Sequence, residues 1–234
     1  LTWRLWNFRS IAYSTMQYAI FLVMREIRGL DPPALATKLH ELLLKEEQTF
    51  ANGERLFLHQ MNRRFLHRIL ARLTDYIETQ SGLASHYAEY VAEGANRYEI
   101  EHVWADHFKR HTGEFDSHED FAMHRNLLGG LLLLPKKFNG SYGDLPYEKK
   151  LPHYLTQNLL ARSLHPQCYD HNPGFHQFIQ RSGLHFKPHQ MFTRKDLEER
   201  CTLYRHLAER IWNPNDLLGT EPTRNGSERR RTQG

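Results

Sequence analysis

Apolar residues recur with two different periods along this chain, and the change from one to the other divides it. Residues 11 to 28 and 33 to 48 repeat apolar positions every three or four residues and predict two helices. Between them lies Gly29-Leu30-Asp31-Pro32, where Asp-Pro-Pro marks the start of the second helix. A third helix is predicted from Leu56 to Thr79, with Phe57, Met61, Phe65, Ile69, Leu73 and Ile77 along one stripe that reads as core. Ser81-Gly82 closes a helical subdomain, residues 1 to 82.

Beyond that boundary the period shortens. Tyr98-Glu99-Ile100-Glu101-His102-Val103 alternates as a strand does, which puts Glu99 and Glu101 on one face. Leu131 to Leu134 is an unbroken apolar run that stops at Pro135, turns through Lys136 and Lys137, and delivers Asn139 at the start of a Gly-, Ser- and Asp-rich turn. A helix from Tyr147 to Arg162, continued through Leu164, is expected next, then a loop rich in His, Pro and Asn. Thr193 caps a long helix from Arg194 to Trp212 whose apolar face is Leu197, Cys201, Tyr204, Leu207, Ala208 and Ile211. From Leu218 the sequence reads as a disordered basic tail, 218 to 234. The expected class is α+β, mainly α: a helical region (1–82), a module with a small strand–strand–helix core and a long C-terminal helix (83–217), and the tail.

Composition narrows the partners only a little. With 40% hydrophobic and 25% charged residues among 234, the chain can bury a full core. Its formal charge of +4 permits DNA binding without demanding it. Cys168 and Cys201 form no C-x-x-C pair, which excludes a zinc-ribbon staple and suits a reducing cytoplasm. The apolar stretch from Tyr18 to Met24 is cut short by Arg25, Glu26 and Arg28, so a buried helix is expected and no membrane partner. Leu1 falls within helix-forming sequence and is not a Met, so a longer polypeptide with an upstream neighbour is expected. Arg63, Arg64, Arg68 and Arg72 read as a solvated helix face, with a DNA-facing edge as the other reading.

The candidate chemistry lies in the two non-helical segments. Glu101, with Glu99 two residues before it, offers hard oxygen beside His102, whose unperturbed pKa of about 6.5 lets it take a proton from water at neutral pH. Asn139 adds an amide oxygen that can complete a magnesium site, and so sparse a set suits Mg²⁺, which keeps several of its waters, better than zinc. Phosphodiester hydrolysis needs these parts together: a base for water, and positive charge for the developing anion and the leaving oxygen. A carbonyl from Ile100 or His102 is a candidate to hold the imidazole. His118-Glu119 lacks the partner histidine of the H-E-x-x-H zinc motif.

These segments resemble the HNH, or ββα-metal, nuclease module that forms the C-terminal half of GmrSD-type restriction endonucleases. The family's E-H-I-x-P-Q is matched by Glu101-His102-Val103-Trp104-Ala105-Asp106, and its G-N-L-T-L-L by Gly129 to Leu134. Its late L-N-S-K-x-S-N-x-P-F-x-x-K is matched by the stretch in which Asn139, Pro146 and Lys150 keep register. The resemblance covers about half the chain, residues 97 to 213. It implies metal binding by Glu101 and Asn139 and base catalysis by His102, while Glu99 is a further candidate ligand from its place on the same strand face. Mg²⁺ is the implied cofactor, with Mn²⁺ able to substitute. Lys136, Lys137 and Lys150 are candidate contacts to double-stranded DNA, with a solvated turn as the other reading of the lysine pair. The chain departs from the pattern at Gly130 for Asn, Ala105-Asp106 for Pro-Gln, and Asp144 for Asn. Asn126 is a candidate replacement for the absent Asn, and Asp144 either adds a ligand or caps the next helix. The implied function is cleavage or nicking of foreign, phage DNA in the bacterial cytoplasm. An NTP-hydrolysing, modification-sensing domain would sit upstream or on a partner chain, since no P-loop occurs here. The alternative is an inactive DNA- or partner-docking module of the same fold.

Overall fold

The computed structural model describes residues 13–45, 50, 56–60 and 62–219. The expected helix ends at 11–12 and 46–48, Met61 of the apolar stripe, and residues 220–234 of the basic tail lie outside the described residues. The chain is mostly helical with one two-stranded antiparallel sheet. Among the described residues no helix is long and apolar enough to cross a membrane.

Two compact units divide the chain, and the division is not at Ser81-Gly82. One comprises residues 1–47 and 213–234, the other 48–212. In the first, α1 (Tyr13–Ile27) is followed by α2 (Pro32–Leu44), whose start is set by Asp31 accepting from the Ala34 amide at 2.9 Å, with Pro32 and Pro33 in the first turn. Lys38 reaches back to Glu26 at 2.8 Å. A short turn of 3₁₀ helix, Pro214–Leu218, packs on α2, with Asn215 meeting His40 at 3.0 Å.

The second unit is built around α3 (Arg63–Gln80), and this moves the boundary. Leu66, Ile69, Leu70, Leu73 and Ile77 are buried, and α3 packs against the sheet and four later helices, so it belongs with the segments that follow it. Helix α3 starts at Arg63 and not at Leu56, because the Leu56–Leu58 stretch is extended: Leu58 donates to the Asn126 carbonyl and Leu128 to that of Leu56, flanking a Phe57–Leu127 bridge. After α4 (Tyr87–Tyr90) comes β1 (Tyr98–His102), then α5 (His118–Arg125), β2 (Leu131–Pro135) and α6 (Lys136–Tyr142). Strand β1 pairs with β2 so that Glu101 faces Leu132 and His102 faces Leu131. All four leucines of β2 are fully buried, as a strand covered on both faces requires.

The expected helix from Tyr147 to Leu164 is broken into α7 (Tyr147–Tyr154) and α8 (Leu159–Arg162). Asn158 starts the second piece by accepting from the Ala161 amide at 3.0 Å, while its own amide donates to the Leu133 carbonyl. The His/Pro/Asn-rich stretch holds a helix, α9 (Pro173–Ser182), with Asn172 capping its start and Gly183 its end at φ +64°. Thr193 and Asp196 form a reciprocal capping box on α10 (Arg194–Ile211), which buries Leu197, Arg200, Leu203, Tyr204, Leu207 and Ala208.

Candidate nuclease site

The site forms where β1 ends and α6 begins. Glu101, His102, Asp106, Arg125, Asn139, Gly140, Ser141, Gly143 and Asp144 line one cleft of about 440 Å³. Alternation along β1 would send Glu101 and His102 to opposite sides, but the chain leaves the strand immediately after His102, so both reach the cleft. Val103, Trp104 and Ala105 are buried directly behind it and hold that exit in place. Trp104 sits among Phe115, Phe121 and Phe192 and donates from its indole to the Phe192 carbonyl at 2.8 Å.

His102 is held by a side chain, not by a backbone carbonyl. Its Nε2 lies 2.8 Å from Asn126 Oδ1, while the Asn126 amide donates to the Ala122 carbonyl at 2.8 Å. With its NH₂ so engaged, Asn126 presents an acceptor, so His102 donates from Nε2 and keeps Nδ1 unprotonated. Burial, reinforced by the Arg125 charge and opposed by the Asn126 bond, lowers the His102 pKa to about 4. The imidazole is therefore a neutral base at physiological pH. The two expected carbonyl partners are used elsewhere: Ile100 accepts from Asn139 and His102 from Lys150.

Asn139 lies inside helix α6, not at the start of a turn. Its Nδ2 donates to the Ile100 carbonyl at 3.4 Å, tying α6 to β1, and its Oδ1 is buried with no hydrogen-bond partner. An orphaned buried acceptor costs about 1–3 kcal/mol, and a cation is the group that would satisfy it. Glu101 is 4% exposed, and burial lifts its carboxyl pKa against the attraction of Lys150. Glu101 and Asn139 thus supply one carboxylate and one amide oxygen, a donor set that fits Mg²⁺ or Mn²⁺. Among the described residues no group of three His, Cys, Asp or Glu side chains forms a metal cage.

Three expected site residues lie elsewhere or play other parts. Glu99 does not join the cleft: it is drawn to Arg97, two positions back, at 2.7 Å. Lys150 is fully buried and cannot meet DNA as a surface contact. Its ammonium binds Glu101 Oε1 at 2.6 Å and the His102 carbonyl at 2.8 Å. Asp144 does not cap α7, whose N-cap is Pro146; its side chain is 94% exposed at the cleft, 3.6 Å from His107 Nε2. Lys136 and Lys137 are exposed on the first turn of α6.

Arg125 and Asp106 were not singled out by sequence. Arg125 ends α5, donates from Nε to the Trp104 carbonyl at 3.0 Å, and brings its guanidinium charge to the cleft. Nothing in the local sequence marks it except its position beside Asn126. Gly130 sits in a crowded place. A Cβ there would lie 3.1 Å from Leu197 and 3.3 Å from the Arg125 carbonyl, so α10 and α5 occupy the space of a side chain.

No protein-family model matches the chain, and no curated protein or solved structure matches it either.

Proposed function

We propose that this chain is a metal-dependent DNA endonuclease or nickase domain with an HNH-like, ββα-metal site. It would hydrolyse phosphodiester bonds of foreign, phage DNA as part of a larger restriction protein in the bacterial cytoplasm. The observation that carries the reading is the convergence of His102, Glu101 and Asn139 on one cleft at the junction of β1, β2 and α6, with the Asn139 oxygen left without a partner. Two paired strands followed by a helix are compatible with the core the resemblance implies, although α5 lies between the strands.

In this reading His102 accepts a proton from water at Nδ1, and Asn126 fixes its tautomer and orientation. Glu101 and Asn139 would hold Mg²⁺, which when bound supplies charge for the phosphate oxygens and the leaving 3′ oxygen. Arg125 holds positive charge against the phosphate at the same cleft. Lys136 and Lys137 would meet the DNA backbone from the first turn of α6. NTP hydrolysis and modification sensing belong to an upstream domain or a partner chain.

Conversion of supercoiled plasmid to open-circle or linear DNA, with Mg²⁺ or Mn²⁺ against EDTA, tests this. Metal-dependent nicking that His102→Ala abolishes is the expected result. One observation favours the rival, a docking module without turnover: Lys150 already occupies one oxygen of Glu101. That reading predicts DNA binding with no cleavage under any divalent metal.

A further inference from the structure

Along β1 from the proposed catalytic cleft lies a second cavity of about 420 Å³ with a different character. Arg63, Arg64, His67 and Arg68 from the start of α3 line one side, and Arg97, Tyr98, Glu99 and Ile100 the other. Four guanidinium groups thus face two carboxylates, Glu93 and Glu99, and Glu99 is already held by Arg97 at 2.7 Å. Arg63, Arg64 and Arg68 are exposed and make no ion pair among the described residues, although like charges one helical turn apart repel one another. Arg72, the fourth arginine of the helix series, lies outside this cavity, with Asp75 at 3.5 Å. The first turn of α3 has no acidic residue and Asn62 gives it no side-chain cap, so the helix end adds partial positive charge to the same place.

Geometry ties this cavity to the cleft. Glu99 and Ile100 border the cavity, and Glu101 and His102, the next two residues, border the cleft. At roughly 3.3 Å per strand residue the two lie about 7 Å apart along β1. His67 donates from Nε2 to the Tyr98 carbonyl at 2.9 Å and so fixes the arginine-bearing helix against the strand. The Lys136 amide donates to the Arg97 carbonyl at 2.9 Å, so the chain that carries the exposed Lys136 and Lys137 leaves β2 beside Arg97.

We infer that this arginine cavity is a second anion site, which holds backbone phosphates flanking the scissile one and so sets the path of the cut strand across β1. This deepens the nuclease reading and rests on it. Guanidinium forks match phosphate oxygens two at a time, and several on a helix and a strand edge follow a backbone without reading bases. Binding here is accordingly sequence-independent and salt-sensitive.

The test is fluorescence anisotropy of a short labelled duplex in EDTA, across about 50 to 200 mM NaCl. The full chain is compared with the double variant Arg64→Gln/Arg68→Gln, with Arg64→Lys/Arg68→Lys, and with Lys195→Gln, an exposed charge outside both cavities. The glutamine pair should lower the slope of log K against log salt by roughly 2, about 0.9 for each phosphate no longer neutralised, with an unchanged thermal midpoint. The lysine pair should retain most of the slope, and Lys195→Gln should leave it unaltered. An unchanged slope in the glutamine pair, an equal decrease in Lys195→Gln, or no duplex binding by the unaltered chain overturns the inference. Binding in EDTA does not require turnover, so nicking with no arginine effect rejects this site alone. An arginine effect with no nicking rejects only the nuclease reading.

Discussion

The chemistry of the candidate site depends on which polar atoms already have partners. Asn126 satisfies its amide on Ala122 and therefore dictates that His102 donates from Nε2. Asn126→Ala should reduce nicking about 10- to 100-fold, the range for removing a group that orients a reacting side chain, with little change in DNA affinity. Equal nicking would mean that packing alone holds the imidazole. Arg125→Gln should lower kcat roughly 100- to 1,000-fold with KM nearly constant if its charge acts on the transition state. A rise in KM alone would make it a ground-state contact. Lys150→Met should lower the free energy of unfolding by about 3–5 kcal/mol, because it leaves Glu101 buried and unpaired. Denaturant titration decides the point: unchanged stability with weaker DNA binding would restore Lys150 as a contact. Glu101, His102 and Asn139, which line one cleft, stand out in the sequence as candidates, because strand alternation and a run-ending proline bring their types to attention. The pairings do not, since Lys150 and Asn126 reach the site from 49 and 24 residues away.

At the scale of elements, starts and stops are legible in the sequence wherever a side chain closes its own helix. Asp31-Pro32-Pro33 and Thr193 set their helices as expected, because a cap is a contact within three residues. Elements set by distant main chain leave no such local mark. Leu56–Leu58 has helical periodicity, yet its amides and carbonyls pair with residues 126–128, and Asn158 is drawn to the Leu133 carbonyl and breaks a helix. The α9 helix carried full start and stop signals, with Asn172-Pro173 and Gly183, in a stretch whose polar composition reads as loop. Close approach of α10 to the turn before β2 explains both glycines there. A Cβ on Gly129 would meet the backbone of Arg200 and Cys201, which cannot yield without moving the helix. Gly129→Ala should therefore destabilise the protein by about 1–3 kcal/mol or more, measured by thermal or denaturant unfolding, and a neutral result would show that α10 shifts freely.

For the whole molecule, the dependence of stability on pH draws on a buried pair outside the cleft as well as on His102. Burial, with the Arg200 charge, holds His189 at about 4 despite its 2.9 Å contact with Asp196. Burial alone would raise Asp196, but bonds from Thr193 and His189 outweigh it and hold the carboxyl at about 2. Both folded pKa values lie below their unfolded ones, so the unfolded chain binds more protons and stability rises with pH. The His189 contribution is complete above about pH 6.5 and is lost towards 4, and the Asp196 contribution is lost below that. Denaturation midpoints at pH 7 and pH 5 should differ for the unaltered chain and lie closer together in His189→Asn, with the remaining difference coming from His102, which burial also holds at about 4. Sequence by itself determined the mainly helical α+β class, the capped helix starts and the residue types of the site, because periodicity, caps and motifs act over a few neighbouring residues. Tertiary structure alone decided that α3 belongs to the larger unit, that Lys150 is a buried partner of Glu101, and that Arg125 enters the cleft. It also gathered Arg63, Arg64 and Arg68 of α3 and the start of β1 around one cavity. Each of these depends on burial and charge pairing between segments tens of residues apart, whose energies no local pattern encodes.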